Sequence, residues 1–356
     1  MTSVKILDNV QAMPGYVPGK SGPGADAVKL SSNENPYPPA PGVAEALKSF
    51  DPEVLRRYPD PLISELVSAI ADFYGVKENQ VFAGIGSDDV LAMIFMTFFN
   101  SKKPILFPDI TYSFYDVWAD MLRIPYETVA LDEKFCINPK DYQRENGGVI
   151  FPNPNAPTGE LLPLTAVEEI VRSNPDVICV VDEAYIDFGG QTALSLIDKY
   201  ENLIVVQTFS KSRSMAGSRI GFAISNPTLI AYLNDVKYSF NSYTMDAVTI
   251  KLAAAAIKDR DYFEKTRAQI IKTREWTKLE LAKLGFEFGD SMSNFIFAKH
   301  PNFDGTKLFE DLRANNIFVR HFNHPDRIRE YLRISIGTDQ EMQALIDFLR
   351  VYVNKD

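Results

Sequence analysis

The sequence contains few of the residues from which metal centres and disulfide frameworks are built. Its 356 residues include two cysteines and three histidines. No histidine has zinc-like spacing with a cysteine, which argues against a structural zinc site, and we expect no metal. Cys179 lies within an apolar run, where a buried free thiol is expected. No serine lies in a Gly-x-Ser-x-Gly elbow, which argues against an α/β serine hydrolase.

Long apolar runs and long basic runs are also missing. No apolar stretch approaches the roughly 18 residues of a membrane-spanning helix. The first 24 residues lack the apolar core of a signal peptide. The formal net charge is −10 without a run of Lys or Arg, which argues against nucleic acid and against an anionic membrane as partners. We therefore expect a cytoplasmic protein.

The composition that remains is that of a globular protein, with 46% apolar and 24% charged residues. A chain of this length favours one large domain and one smaller domain. From residue 41 onward, helical patterns alternate with short, apolar, β-branched segments such as 149–151, 177–182 and 203–208. This alternation predicts an α/β fold, in which a three-layer, mostly parallel sheet forms the large domain.

After Gly285 the pattern changes to shorter helices and strands, which predicts a smaller α+β domain. We place an N-terminal arm at residues 1–40, the large domain at 41–280 and the small domain at 281–356. The arm is expected to return to the small domain. In mostly parallel sheets, ligands bind beyond the carboxyl ends of the strands. Polar residues that follow predicted strands are therefore the candidates for a site.

Lys211 closely follows the predicted strand at 203–208 and is flanked by Ser210 and Ser212. A lysine at the end of a buried strand is partly desolvated, which makes its amine a better nucleophile toward an aldehyde. The alternative is a surface lysine in a turn, which a Ser-Lys pair alone does not exclude.

Asp182 ends another apolar strand, and Tyr185 follows it three residues later. A pyridoxal ring needs an anion at its ring nitrogen, because a protonated nitrogen makes the ring an electron sink. It also needs a hydrogen-bond donor at its phenolic oxygen, which a tyrosine supplies. The alternative for Asp182 is a cap on the following helix.

Loops after two other strands carry further candidates. Asn155 follows the strand at 149–151 and is a candidate second donor to the phenolic oxygen. An asparagine in a Pro- and Gly-rich loop is usually structural, which is its alternative role. Gly86, Ser87 and Asp88 open a helix after a strand, so that backbone N–H groups and the positive helix end face an anion.

The remaining candidates complete an anion site and a ring site. Arg219 offers a guanidinium that clamps a phosphate with two hydrogen bonds, and Thr208 and Ser210 add hydroxyl groups. Tyr112 can stack on a flat ring, although core packing is the commoner use of a tyrosine. Tyr58, in an Arg-Tyr-Pro-Asp segment, is ambiguous in the same way. The Gly-x-Gly-x-x-Gly dinucleotide fingerprint is absent, since position 89 is not glycine.

Together these motifs resemble the fold-type-I pyridoxal-phosphate-dependent aminotransferases over essentially the whole chain. The resemblance is carried by residues 155–159, 182–185 and 210–212 together with Arg219. It implies pyridoxal 5'-phosphate as the cofactor, which Lys211 binds covalently while Asp182 holds the ring nitrogen and Tyr185 the phenolic oxygen. The family often has Asn immediately before Pro-Thr-Gly, where this chain has Ala156, so we assign that contact to Asn155.

A narrower resemblance is to the histidinol-phosphate aminotransferases, carried by segments 30–36, 57–60, 86–88, 319–320 and 331–337. It implies that histidinol phosphate and 2-oxoglutarate exchange with imidazole-acetol phosphate and glutamate, in histidine biosynthesis. It also implies a homodimer in which the N-terminal arm joins the interface and Tyr58 reaches the cofactor phosphate bound by the other subunit. Arg320 and Arg333 would bind the anionic groups of the substrate, and we place Tyr16 and Asn33 beside them.

Three alternatives stay open. An aromatic or branched-chain amino-acid aminotransferase, or a threonine-phosphate decarboxylase, would share the same fold. A non-catalytic α/β module that binds a phosphate ligand is a further alternative, in which Lys211 and Asp182 would have no catalytic role. Arg320 also has a local alternative, which is an ion pair with Asp326 or Glu330.

Overall fold

The computed structural model of the protein describes residues 7–12 and 27–354. The predicted substrate residue Tyr16 lies outside the described residues. The α-helices are α1 (Asp8–Ala12), α2 (Pro41–Lys48), α3 (Ser64–Tyr74), α4 (Ser87–Phe98), α5 (Tyr115–Leu122), α6 (Leu164–Ser173), α7 (Pro227–Phe240), α8 (Ala247–Lys258), α9 (Arg260–Lys283), α10 (Gly305–Ala314) and α11 (Asp339–Val353). The strands are β1 (Val28–Lys29), β2 (Val81–Gly84), β3 (Ile105–Pro108), β4 (Tyr126–Val129), β5 (Val149–Pro152), β6 (Cys179–Asp182), β7 (Leu203–Thr208), β8 (Gly221–Ile224), β9 (Glu287–Phe288), β10 (Phe295–Lys299), β11 (Ile317–Phe318), β12 (Arg320–His321) and β13 (Leu332–Ser335).

A seven-stranded sheet forms the centre of the molecule, with the strand order β2-β8-β7-β6-β5-β3-β4. Strand β8 runs antiparallel to both of its neighbours, β2 and β7. The other neighbouring strands pair in parallel. The predicted α/β fold with a mostly parallel sheet is therefore confirmed.

Both faces of this sheet are covered by helices because its central strands are apolar on both faces. In β6, Cys179 and Val181 pack on the face that α3, α6 and α8 cover, and Val180 packs on the face that α4, α5 and α7 cover. All three side chains are 0% exposed. Complete burial of one such apolar side chain stabilises a fold by roughly 1.5–3 kcal/mol. The result is the predicted three-layer arrangement.

A smaller antiparallel sheet, in the order β12-β13-β10-β9, forms a second apolar core with α10 and α11. Strand β1 pairs in parallel with β11, so that the chain before the large sheet lies against this second core. Helix α9 runs through the predicted domain boundary at residue 280, which stays a prediction. Of the helices within the described residues, none has both the length and the apolar character to cross a membrane.

The topology brings several strand ends to one edge of the large sheet. Strands β3, β5, β6 and β7 are parallel, and β2 points the same way because antiparallel β8 separates it from β7. Their carboxyl ends, and the start of β8, therefore meet at the same edge. The candidate residues at 86–88, 112, 155, 182, 211 and 219 follow or precede these ends.

Candidate active site

Asp182, the last residue of β6, is a buried carboxylate without a cationic partner among the described residues. Asp182 is 4% exposed. Tyr115 Oη donates to Oδ2 at 2.9 Å, and the backbone N–H of Ala184 donates to Oδ1 at 3.2 Å. Burial raises the pKa of Asp182 to about 6, which these two hydrogen bonds oppose. Such a carboxylate is suited to a cationic nitrogen brought in by a ligand.

Lys211 lies beyond the end of β7, the strand that pairs with β6 in parallel. Its amine donates to the carbonyl oxygen of Ser32 at 3.3 Å and lies 5.7 Å from the centre of the Tyr185 ring. The backbone around it is held from the other side, because Asn35 Nδ2 donates to the carbonyls of Lys211 and Ser212 at 3.1 Å each. The lysine amine is thus placed over the same sheet edge as the Asp182 carboxylate.

Tyr185 comes three residues after β6 and is 8% exposed. Its ring packs edge to face on Phe295, with 5.1 Å between ring centres. Its hydroxyl oxygen accepts a hydrogen bond of 2.9 Å from Asn33 Nδ2. Asn33 is itself 1% exposed, so its side chain lies beneath the site surface rather than on it.

The amide of Asn155 is already engaged within the protein. Nδ2 donates to the carbonyl of Ile110 at 2.9 Å and to Thr158 Oγ1 at 3.0 Å. Oδ1 accepts from Thr111 Oγ1 at 3.2 Å. Both amide hydrogens are therefore in use, and the predicted bond to the cofactor would require one of these contacts to break. The neighbouring Ala156 is buried at 6% exposure.

The predicted anion site is at the start of α4, where two glycines permit close packing. Gly86 has φ 86°, which favours glycine, and a Cβ there would lie 2.6 Å from Arg219 Nη2. A Cβ on Gly221 would lie 2.2 Å from the backbone nitrogen of Ser87. The first N–H groups of a helix have no acceptor within the helix. The glycines thus leave room for a guanidinium beside those N–H groups.

Polar side chains surround this helix start. Arg219 Nη2 forms an ion pair of 3.1 Å with Asp88, and Tyr112 Oη donates to the other oxygen of Asp88 at 2.6 Å. The hydroxyl groups of Thr208 and Ser210 lie 3.0 Å apart at the end of β7. Burial, followed by the charge of Asp88, raises the pKa of the Tyr112 phenol. The set combines a cation, hydroxyls and the first N–H groups of a helix, which is the donor chemistry that a phosphate requires.

Arg320 and Arg333 face each other as partners on the antiparallel strands β12 and β13. Like charges directly opposite on neighbouring strands are destabilising, unless an anion lies between them. Arg333 Nη2 donates to the carbonyl of Ser31 at 3.1 Å. Within residues 27–354, Arg320 forms no ion pair with Asp326 or Glu330, so its predicted local alternative is not present.

Within the described residues of one chain, Tyr58 does not lie with the other candidate residues at the edge of the large sheet. It is 81% exposed, and its ring stacks on Tyr243 with 4.6 Å between ring centres. Within the described parts of the chain, it has no hydrogen bond to the other candidate residues. Its predicted role therefore depends on a second subunit.

Sequence reasoning missed several residues that hold the candidates in place. Tyr115 on α5 binds Asp182, and Asn35 binds the backbone at Lys211. Ser335 at the end of β13 binds Asn33. Tyr115 opens α5 and Tyr112 lies before that helix, so helical spacing gave no signal for the contact with Asp182. The contact between residues 33 and 335 had no local signal, because it joins distant parts of the chain.

Comparisons with known proteins agree on one family. The family model described as aminotransferase class I and II matches residues 25–349. Histidinol-phosphate aminotransferase 1 of Pseudomonas fluorescens is 54% identical over 334 residues, which cover 94% of this chain and 95% of that protein. Histidinol-phosphate aminotransferase 2 of Dechloromonas aromatica is 51% identical over 96% of this chain and 97% of its own length. The crystal structure of histidinol-phosphate aminotransferase from Sinorhizobium meliloti in complex with pyridoxal-5'-phosphate has a similar fold, with a TM-score of 0.86, 24% identity and coverage of 98% and 97% of the two chains.

Proposed function

The chain belongs to aminotransferase class I and II, and from that premise we propose that it transfers the amino group of histidinol phosphate to 2-oxoglutarate. The products are imidazole-acetol phosphate and glutamate, in histidine biosynthesis. The observation that carries the chemistry is the buried carboxylate of Asp182, which has no cationic partner among the described residues and lies next to the strand that positions Lys211. The names of the relatives that are about half identical support the substrate.

Pyridoxal 5'-phosphate is the cofactor that these residues fit. When bound, it supplies an aldehyde for the amino group and a ring that withdraws electrons from the substrate carbon. Asp182 would hold the ring nitrogen, Tyr185 the phenolic oxygen and Lys211 the aldehyde carbon, with Tyr112 against the ring. The phosphate would lie at the start of α4, bound by Gly86, Ser87, Asp88, Thr208, Ser210 and Arg219.

The lysine amine has a second task in the reaction. Lys211 Nζ would take the proton from the substrate carbon as general base. It would then donate a proton to the former aldehyde carbon of the cofactor as general acid. The hydrogen bond from Nζ to the carbonyl of Ser32 holds the amine at this edge of the sheet. Burial raises the pKa of Asp182 to about 6, and a cationic ring nitrogen beside the carboxylate would favour its ionised form.

Arg320 and Arg333 would bind the anionic end of each substrate. Histidinol phosphate carries a phosphate and no carboxylate, whereas glutamate carries two carboxylates, so one pocket must accept both kinds of anion. A guanidinium presents paired donors in a plane, which match either group. The opposed placement of the two arginines on β12 and β13 supports this role.

We also propose that the enzyme is a cytoplasmic homodimer with active sites at its interface. Tyr58 is exposed together with Val54, Leu55, Leu62, Phe240 and Tyr243, which are large apolar side chains in two neighbouring segments. An exposed apolar surface of this kind favours contact with a second copy. In the dimer, Tyr58 would reach the cofactor phosphate of the other subunit.

A substrate panel tests the proposed reaction. The ratio kcat/KM would be measured with 2-oxoglutarate as acceptor and histidinol phosphate, histidinol, phenylalanine or leucine as donor. We expect histidinol phosphate to be best and histidinol to be far poorer, since the alcohol offers no anionic group to Arg320 and Arg333. A higher value for phenylalanine or leucine would contradict the histidine-pathway assignment and leave the aminotransferase chemistry intact.

A further inference from the structure

Asn33 forms a hydrogen bond with the hydroxyl group of Tyr185, which we propose binds the cofactor. The two residues come from different parts of the chain. Asn33 Nδ2 donates to Tyr185 Oη at 2.9 Å. Asn33 lies after β1, in the segment that joins the small sheet, whereas Tyr185 follows β6 of the large sheet. The contact therefore couples the smaller core to the cofactor-facing side of the large sheet.

The direction of this hydrogen bond is set by Ser335. The backbone N–H of Asn33 donates to Ser335 Oγ at 2.8 Å, so that the serine hydroxyl hydrogen is available to donate elsewhere. It donates to Asn33 Oδ1 at 2.9 Å. Since the amide oxygen is held on the Ser335 side, the amide nitrogen is the atom that faces Tyr185. Asn294 Nδ2 anchors the same residue by donating to its carbonyl oxygen at 2.9 Å.

A tyrosine hydroxyl that accepts one hydrogen bond still has its own hydrogen to donate. Within residues 27–354, no protein acceptor takes the hydroxyl hydrogen of Tyr185. Asn155, the other predicted donor to the phenolic oxygen, has both amide hydrogens committed to Ile110 and Thr158. Tyr185 is thus the one predicted donor whose hydrogen is available.

From this arrangement we propose that Asn33 is a positioning residue, which makes Tyr185 a donor to the cofactor's phenolic oxygen by occupying its acceptor side. This inference rests on the proposed function and replaces the predicted contact of Asn33 with substrate. Asn33 acts through Tyr185, and Ser335 fixes its orientation. Residues of the small sheet thereby influence the acidity of the bound cofactor without touching it.

The choice of test variants follows from the backbone. Asn33 has φ 55°, in the left-handed region that Asn, Asp and Gly tolerate better than other residues. Asn33→Gly removes the side chain without backbone strain. Asn33→Asp keeps the shape and replaces the donating nitrogen by an acceptor, which reverses the preferred direction of the Tyr185 hydroxyl.

The readout is the pH midpoint of the visible absorption change of the bound cofactor, since the phenolic oxygen belongs to the chromophore. A hydrogen bond to a charged oxygen is worth about one to two pH units in such a midpoint. We expect Tyr185→Phe to raise the midpoint by about that amount. Without the hydrogen bond from Tyr185, the negative charge on the phenolic oxygen is less stabilised, so the cofactor loses its proton only at higher pH. Asn33→Asp should raise it by about one unit, and Asn33→Gly and Ser335→Ala by less.

A double-mutant cycle separates this role from general destabilisation. In the Tyr185→Phe background, Asn33→Asp should leave the midpoint unchanged, because the group through which it acts is gone. An equal shift in both backgrounds, or no shift in either, would overturn the inference. Should Asn33→Asp fail to fold, the cycle with Ser335→Ala decides in the same way. A wild-type protein that takes up no coloured cofactor would instead defeat the proposed function itself.

Discussion

At the scale of single residues, Asp182 shows how the fold tunes a functional group. Its strand buries the carboxylate and raises its pKa from 3.8 to about 6, while the Tyr115 hydroxyl opposes that rise. The sequence predicted the carboxylate at the strand end but not the tyrosine that binds it. A side chain at a strand end is visible in the pattern of apolar residues, whereas its partner from another helix is set by packing.

Replacing this carboxylate should separate stability from activity. A carboxyl group with a higher pKa in the folded state binds its proton more tightly there, so the free energy of unfolding falls as pH rises from about 4 to about 6. We expect Asp182→Asn to remove this cost and to stabilise the cofactor-free protein at pH 7.5 by roughly 1–3 kcal/mol. The gain should shrink at pH 4, where the wild-type carboxyl group is already protonated in the folded state.

Thermal unfolding of both cofactor-free proteins at the two pH values measures this effect. Transamination by Asp182→Asn should fall severely, since a neutral amide does not keep the ring nitrogen protonated. A variant that is less stable at pH 7.5 would contradict the stability argument. Turnover close to that of the wild type would contradict the role of Asp182 at the ring nitrogen.

At the scale of elements, the sequence predicted the strands and helices of the large sheet because their apolar patterns are strong. Segments such as 149–151 and 203–208 are apolar on both faces, and the structure covers both faces. The pairing of Asn33 with Tyr185 and Ser335 was beyond prediction, because it joins residues from the arm, the large sheet and the small sheet. The confirmed family resemblance rested on motifs at strand ends. There the apolar pattern of a strand also marks the residues that follow it at the edge of the sheet.

The close approach of β8 to the start of α4 gives an element-scale test. A Cβ on Gly221 would lie 2.2 Å from the backbone nitrogen of Ser87, and backbone has little freedom to move. We expect Gly221→Ala to lower the free energy of unfolding by about 2–4 kcal/mol and to weaken binding of the cofactor phosphate. Chemical denaturation and a cofactor titration would measure the two effects.

Gly217 provides the matched control, because a Cβ there meets nothing within 4 Å. Gly217→Ala should change the free energy of unfolding by no more than about 0.5 kcal/mol. Equal effects of the two substitutions would show that packing between β8 and α4 does not hold the anion site.

At the scale of the whole molecule, one subunit carries most of the proposed site but leaves Tyr58 outside it. That tyrosine is 81% exposed and lies among other exposed apolar side chains. The sequence placed Tyr58 with the cofactor only through a family resemblance, since nothing local links residue 58 to the sheet edge. A second subunit is the simplest way to complete the site.

Hybrid dimers test this shared site. Tyr58→Ala and Lys211→Ala proteins, each impaired alone, would be mixed under conditions in which subunits exchange. We expect activity to recover to about a quarter of the wild-type level, because half of the dimers would carry one intact site. Each variant taken through the same treatment alone is the control. No recovery after verified exchange would contradict a site built from two subunits.

The most direct test of the proposed chemistry is the position of the covalent bond to the cofactor. Borohydride reduction of the loaded protein, followed by mass analysis of its peptides, would identify the labelled lysine. We expect the phosphopyridoxyl group on Lys211 and none retained in Lys211→Ala. Lys237 is the informative comparison, since burial lowers the pKa of its amine but its Nζ donates to the carbonyl of Pro61 and not to a residue of the proposed site. Label on Lys237, or no label on the wild-type protein, would contradict the assignment of Lys211.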